Sequence, residues 1–240
     1  TPKVSASGDI QRGSATLTSI MHNITLYQPI NVSNSFPLIT MRSSVAGNAS
    51  SVLLSAEFEN STNMVVKRFA SSNCQEDIDW QVVSNKLFNV VSGTYNSTTT
   101  ESDVMINLTN PVNFSNTFIV ATSRTQDSDE DFTRTGLWSI KFANATQLNF
   151  TRKVTGNVTN LVYYVVQWTG ATIQNGTDRA TQAGTIIPIN TVNLSNSFII
   201  SSHTRNSTGN LDPGYPRIFF VNSTAMSLKI NGRPYFLCSL

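Results

Sequence analysis

The chain has 240 residues, a net charge of +2 and only 12% charged residues, about half the usual share for a soluble globular domain. There is no basic cluster and no apolar run of ~18 residues, which argues against a nucleic-acid partner and against a membrane span. A hydrophobic content of 39% is too high for a disordered chain, so a packed core is expected.

One stretch occurs three times: Ile30-Asn31-Val32-Ser33-Asn34-Ser35-Phe36, Val112-Asn113-Phe114-Ser115-Asn116-Thr117-Phe118 and Val192-Asn193-Leu194-Ser195-Asn196-Ser197-Phe198. The first asparagines lie 82 and then 80 residues apart, which marks three units of roughly 80 residues. The expected boundaries are 1–83, 84–168 and 169–240.

In chain order, each unit is expected to open with a strand that ends at a glycine marking a turn or bulge, namely Gly13, Gly93 and Gly176. A short strand follows around Ile24, Ile106 and Ile186, where Pro188 restricts the third copy to a sheet edge or strand end. The repeated motif then supplies a turn and a Phe-led apolar strand. Surface loops come next, including the acidic run Asp127, Asp129, Glu130 and Asp131 and the turn-rich segment 209–216. A β-hairpin is expected with Asn60, Asn144 or Asn222 at its tip, followed by a cation at Arg68, Arg152 or Lys229. The closing strand is the most apolar, with Ile78, Trp80 and Val82 matched to Val162, Tyr164 and Val166. On the same alignment Phe236, Cys238 and Leu240 close the third unit, so Cys238 falls at a core aromatic position.

Little room for linkers is found between units. The expected fold is therefore all-β: three tandem antiparallel β-sandwich repeats joined by continuous strands. Each repeat resembles an H-type-lectin-like β-sandwich in its pattern of strand, turn, Phe-led strand, hairpin and aromatic closing strand. An immunoglobulin-like sandwich competes, although its Cys–Trp–Cys spacing is absent.

Fourteen Asn-x-Ser/Thr sequons are present, at Asn23, Asn31, Asn48, Asn60, Asn96, Asn107, Asn113, Asn144, Asn149, Asn157, Asn175, Asn193, Asn206 and Asn222. With 26 asparagines, chance gives about six. The excess, and its recurrence in register, point to covalent N-linked glycans and to an extracellular or cell-surface location. A start at Thr1 without Met fits a mature product whose secretion signal has been removed. Cys74 and Cys238 are disulfide candidates in such a compartment, within a chain or between chains.

Catalytic chemistry has little support. His22 and His203 sit at positions the repeat does not reproduce, and no nucleophile elbow surrounds any serine. No metal site or cofactor is expected, the acidic run reading as a solvated loop. Trp138, Trp168 and Tyr215 are candidates for a sugar-stacking platform.

The expected function is a non-enzymatic structural glycoprotein, a subunit of an extracellular filament or surface coat whose partners are copies of itself. Terminal units read as lacking polar caps, and an uncapped linear array propagates head to tail. The segment 1–18 is the expected donor strand to a neighbouring subunit. In composition and organisation the chain resembles the heavily glycosylated β-sandwich subunits of archaeal extracellular threads and pili, a resemblance that implies polymerisation by donor-strand complementation. The alternative is a multivalent carbohydrate-binding adhesin gaining avidity from three lectin-like units.

Overall fold

The computed structural model describes residues 8–43, 53–70, 76–126, 135–180, 184–205, 217–229 and 236–239. Among these the chain is all-β, arranged as six three-stranded antiparallel sheets. The first six strands are β1 (Asp9–Leu17), β2 (Met21–Thr25), β3 (Ser35–Ser43), β4 (Ser55–Phe58), β5 (Asn63–Lys67) and β6 (Glu76–Ser84). They form the sheets β1-β6-β3 and β2-β5-β4.

The same order recurs in the next six: β7 (Phe88–Asn96), β8 (Asp103–Asn107), β9 (Thr117–Thr125), β10 (Ser139–Asn144), β11 (Gln147–Thr151) and β12 (Thr159–Trp168). It recurs again in β13 (Thr177–Ala180), β14 (Thr185–Pro188), β15 (Ser202–Arg205), β16 (Arg217–Asn222), β17 (Ala225–Lys229) and β18 (Phe236–Ser239). Pro188, lacking a donor, is the last residue of β14, an outer strand of its sheet.

Apolar residues from both sheets of the first set make one core, with Leu17, Ile24, Met64, Val66, Ile78, Trp80 and Val82. A second core joins Val104, Leu148 and Phe150 to Leu161, Tyr163 and Val165 of β12. The other face of β12 carries Val162, Tyr164 and Val166 into a third core, shared with Phe36, Phe88, Phe118 and Val120. Hence β12 is buried on both faces, because the second set packs against the first.

That double burial corrects the alignment of the closing strands. Phe36 lies opposite Val83 and Phe118 opposite Val166, so the counterparts of Ile78, Trp80 and Val82 are Leu161, Tyr163 and Val165. Val162, Tyr164 and Val166 instead match Asp79, Gln81 and Val83. Period-two alternation is satisfied by either face of a strand that is apolar throughout, and cannot choose between them. In β18, Ser202 lies opposite Ser239 as Thr122 lies opposite Val162, so Cys238 takes the register position of Leu161 and not of an aromatic.

Two further expectations are overturned. Strands do not run continuously between sets: β6 and β7 belong to different sheets and are separated by a turn. There the Asn85 carbonyl accepts from Phe88 N at 2.9 Å and its side chain from Leu87 N at 2.9 Å. Between β12 and β13 the chain turns at Gly170, whose φ of +91° favours glycine, and residues 171–176 form no strand.

Nor do the first-strand glycines end strands. Gly13 lies within β1 opposite Trp80, and Gly93 within β7 opposite Tyr163. A Cβ on Gly13 would stand 2.7 Å from the Trp80 ring, and one on Gly93 would stand 2.3 Å from the Tyr163 hydroxyl. The aromatic ring of the closing strand lies across the glycine, and this close approach is what excludes a side chain. At Gly176 a Cβ would meet nothing within 4 Å. Gly93→Ala is therefore expected to cost about 1–3 kcal/mol of stability in urea unfolding, and Gly176→Ala to leave the midpoint unchanged.

Candidate functional site: the junctions and the asparagine turns

The edge strands β4 and β10 set the geometry of the two junctions. Each lies at the end of its sheet order, so its outer backbone groups have no ladder partner among the described residues. At the first junction Ala56 N donates to Thr122 Oγ1 at 3.1 Å, and Tyr164 Oη donates to the Ala56 carbonyl at 3.3 Å. At the second, Ile140 N donates to Ser202 Oγ at 3.0 Å. Ala56 and Ile140 stand two residues before Phe58 and Phe142, and Thr122 and Ser202 stand four residues after Phe118 and Phe198. The two contacts therefore join equivalent atoms, one set to the next.

Aromatic contacts repeat in the same way. Phe36 meets Phe118 edge to face with ring centroids 5.5 Å apart, and Phe118 meets Phe198 at 6.0 Å in the same orientation. Burial raises the pKa of Tyr164, which keeps its phenol a donor to Ala56. A cleft of about 550 Å³ opens beside the first junction, lined by Asn31, Glu57, Asn60, Ser92 and Tyr164 among others. Glu57 is ion-paired with Lys67.

The face that would be equivalent on the first set is polar at one end. Ser14 donates to Asp79 at 2.6 Å, while Thr16 and Arg42 both donate to Asp77, at 3.0 and 3.2 Å. Asp79 and Gln81 occupy the register positions held in the second set by Val162 and Tyr164. The expectation that terminal units lack polar caps is thus wrong for the first set. Its β1 is also seated on its own β6 along the whole strand, so in the single chain residues 9–17 are not a free donor.

The recurring sequons are turns with a defined chemistry. Asn31 Oδ1 accepts from Ser33 N at 3.1 Å and from Ser33 Oγ at 2.8 Å, and Asn113 accepts from Ser115 with the same distances. Asn193 accepts from Ser195 N at 3.0 Å. In each case the asparagine caps a short 3₁₀ turn leading into the Phe-led segment. Asn60, Asn144 and Asn222 do the same at the hairpin tips, accepting from the backbone N–H of Thr62, Thr146 and Thr224 at 2.8, 2.9 and 2.8 Å.

Accessibility sorts the remaining sequons. Asn23, Asn31, Asn60, Asn96, Asn107, Asn113, Asn144, Asn175, Asn193 and Asn222 are exposed, and Asn157 is half-buried. Asn149 is the exception, 8% exposed, with its amide donating to Asp103 Oδ1 at 2.5 Å. It is not an accessible glycan acceptor. Asn48, Asn206 and Cys74 lie outside the described residues, as do Tyr215 and the run Asp127, Asp129, Glu130 and Asp131. For Cys238 only the backbone is described, paired with Asp178 and His203.

The other candidates are structural. Trp138 is buried beneath the guanidinium of Arg152, whose Cζ lies 4.7 Å from the ring centroid. Trp168 packs in the second junction, stacked on Phe198 at 6.3 Å. Trp138 thus offers no ring face to solvent, while Trp168 is half-buried and lines the cleft between the second and third sets. Burial pushes His203 down to about 4, so its neutral form is the folded one. His22 lies on β2. Among the described residues no group of three or more His, Cys, Asp or Glu is placed to hold a metal, and no helix is long and apolar enough to cross a membrane.

Arg152 itself was flagged by the sequence only as a cation after a hairpin. It is 2% exposed and donates to the carbonyls of Thr98, Glu101, Thr135 and Asn157 at 2.7–2.9 Å, which ties three loops to one side chain. Glu101, held below the usual carboxylate range first by the Thr98 N–H, also accepts from Tyr95 at 2.9 Å. Arg68 is buried at the equivalent place, donating to the Ser19 carbonyl at 2.9 Å. Its apolar flanks gave no sign that the cation would be inside.

Comparison with protein-family models, with curated proteins and with solved structures yields no match to this chain.

The turn chemistry separates two roles of the same asparagine. In protein made by a host without N-glycosylation, Asn113→Ala is expected to cost about 0.5–2 kcal/mol and Asn113→Asp, which keeps the acceptor oxygen, far less. Peptide mapping of material from the native source should find Asn149 unmodified while exposed sequons carry mass additions.

Proposed function

We propose that the chain is a structural glycoprotein subunit of an extracellular filament or cell-surface coat, built as three tandem β-sandwich repeats that add head to tail. The observation that carries this reading is the equivalence of the two junctions: Ala56 to Thr122 and Ile140 to Ser202 are the same edge-to-face contact. A heterologous contact used twice in succession can be extended by a further copy even across the more polar face of the first set, and repetition without closure generates a filament.

Strand donation is the proposed lock. Residues 171–176 and 197–201 line a cleft of about 940 Å³ between the second and third sets, where a short extended segment from a neighbouring copy would lie. Residues 1–7 are the proposed donor, with Val4 and Ala6 alternating, because β1 can then remain on its own β6. Ten exposed sequons among the described residues support a glycan coat in place of surface charge.

Electron microscopy of purified material tests the reading. Filaments whose axial rise matches one chain are expected, together with their loss on deleting residues 1–7. Discrete monomers at high concentration would contradict it.

A further inference from the structure

We infer that the outer face of β1-β6-β3 docks on the exposed edge of β16 in a second copy, with the Thr40 hydroxyl accepting from Ile218 N across the contact. This rests on the filament reading above and specifies the surface through which copies meet. The argument is one of continuity. Thr40 stands four residues after Phe36, as Thr122 and Ser202 stand after Phe118 and Phe198, and all three side chains carry a hydroxyl. Ile218 stands two residues before Phe220, as Ala56 and Ile140 stand before Phe58 and Phe142. Thr122 and Ser202 cover the edges of β4 and β10; Thr40 is exposed on β3, and β16 is the outer strand of β14-β17-β16. On β16, Phe219 is 44% and Val221 50% exposed, a hydrophobic edge of the kind that pairs with other chains unless covered.

The two faces also match row by row. Across β7-β12-β9 the rows run from Val90, Val166 and Phe118 at the apolar end to Asn96, Asn160 and Arg124 at the polar end. Across β1-β6-β3 they run from Ile10, Val83 and Phe36 to Thr16, Asp77 and Arg42. Even the polar rows are wired alike: Arg124 donates to Asn160 at 3.2 Å as Arg42 donates to Asp77 at 3.2 Å. The middle rows differ, with Asp79 and Gln81 in place of Val162 and Tyr164. Contact between copies is therefore the same in geometry and wetter in chemistry, so it is weaker than the junctions within the chain and can form and dissociate.

Crosslinking reads the contact without requiring filaments. Copies carrying Thr40→Cys are mixed with copies carrying Ile218→Cys, both in a Cys74→Ser, Cys238→Ser background, and treated with a short thiol crosslinker. The pair Ile140→Cys, Ser202→Cys within one chain calibrates the yield. A crosslinked pair of chains is expected at least tenfold above a Ser102→Cys and Ile218→Cys control. In otherwise native sequence, Asp79→Val with Gln81→Tyr should strengthen association tenfold or more by sedimentation, and Thr40→Arg should weaken it similarly. Crosslinking at the control level overturns the inference even if filaments form, which would leave the filament reading standing with another interface. Crosslinking without filaments upholds the contact and sinks the polymer.

Discussion

A strand at the end of a sheet leaves backbone amides and carbonyls facing outward without ladder partners, and burying them unsatisfied costs more than a hydrogen bond contributes. β4 and β10 meet this constraint with side chains borrowed from the next six strands: a hydroxyl for the amide in both cases, and at β4 the Tyr164 phenol for the carbonyl. Much of the architecture follows from that arrangement. The covering sheet must be apolar on the face that also lies over Phe36 and Phe58, which is why β12 is buried on both sides. It must nonetheless present one hydroxyl at the right register, which Thr122 and Ser202 supply where the apolar stretches that begin at Phe118 and Phe198 give way to polar residues.

The asparagine motif obeys a similar local rule. Its side-chain oxygen closes a turn onto the residue two positions on, and that residue is Ser or Thr because the hydroxyl can join the same acceptor. Recurrence of Asn-x-Ser/Thr in register is therefore accounted for by folding alone. The proposal of a glycan coat rests instead on the number of sequons and on the exposure of ten of them. One side chain serves the turn through its oxygen and leaves the exposed amide nitrogen as the only position where a sugar would attach.

Much of this was legible in the sequence. The motif at Asn31, Asn113 and Asn193 marked the turn before the Phe-led segment, and the hairpins with Asn60, Asn144 and Asn222 at their tips fall where the apolar flanks put them. What was lost had physical causes. Leu161 through Val166 is apolar at every position, so no alternation distinguished the face toward its own core from the face toward the first set. Gly13 and Gly93 read as turn residues, because nothing nearby in the chain announces an aromatic ring approaching from the far end of the unit. Arg152 read only as a cation after a hairpin, since the carbonyls that hold it come from loops 17 to 54 residues away as well as from Asn157. The polar row of Thr16, Asp77 and Arg42 is spread over three strands and emerges only once they pair.

The central claim is that the hydroxyls of Thr122 and Ser202 cover the edges of β4 and β10. Amide hydrogen exchange on the single chain tests it at individual residues. The amides of Ala56 and Ile140 should exchange at least tenfold more slowly than that of Ile218, and Thr122→Val should release Ala56 alone. Equal rates at all three positions would contradict the account, since the junctions would then be contacts of convenience between sheets that need no cover.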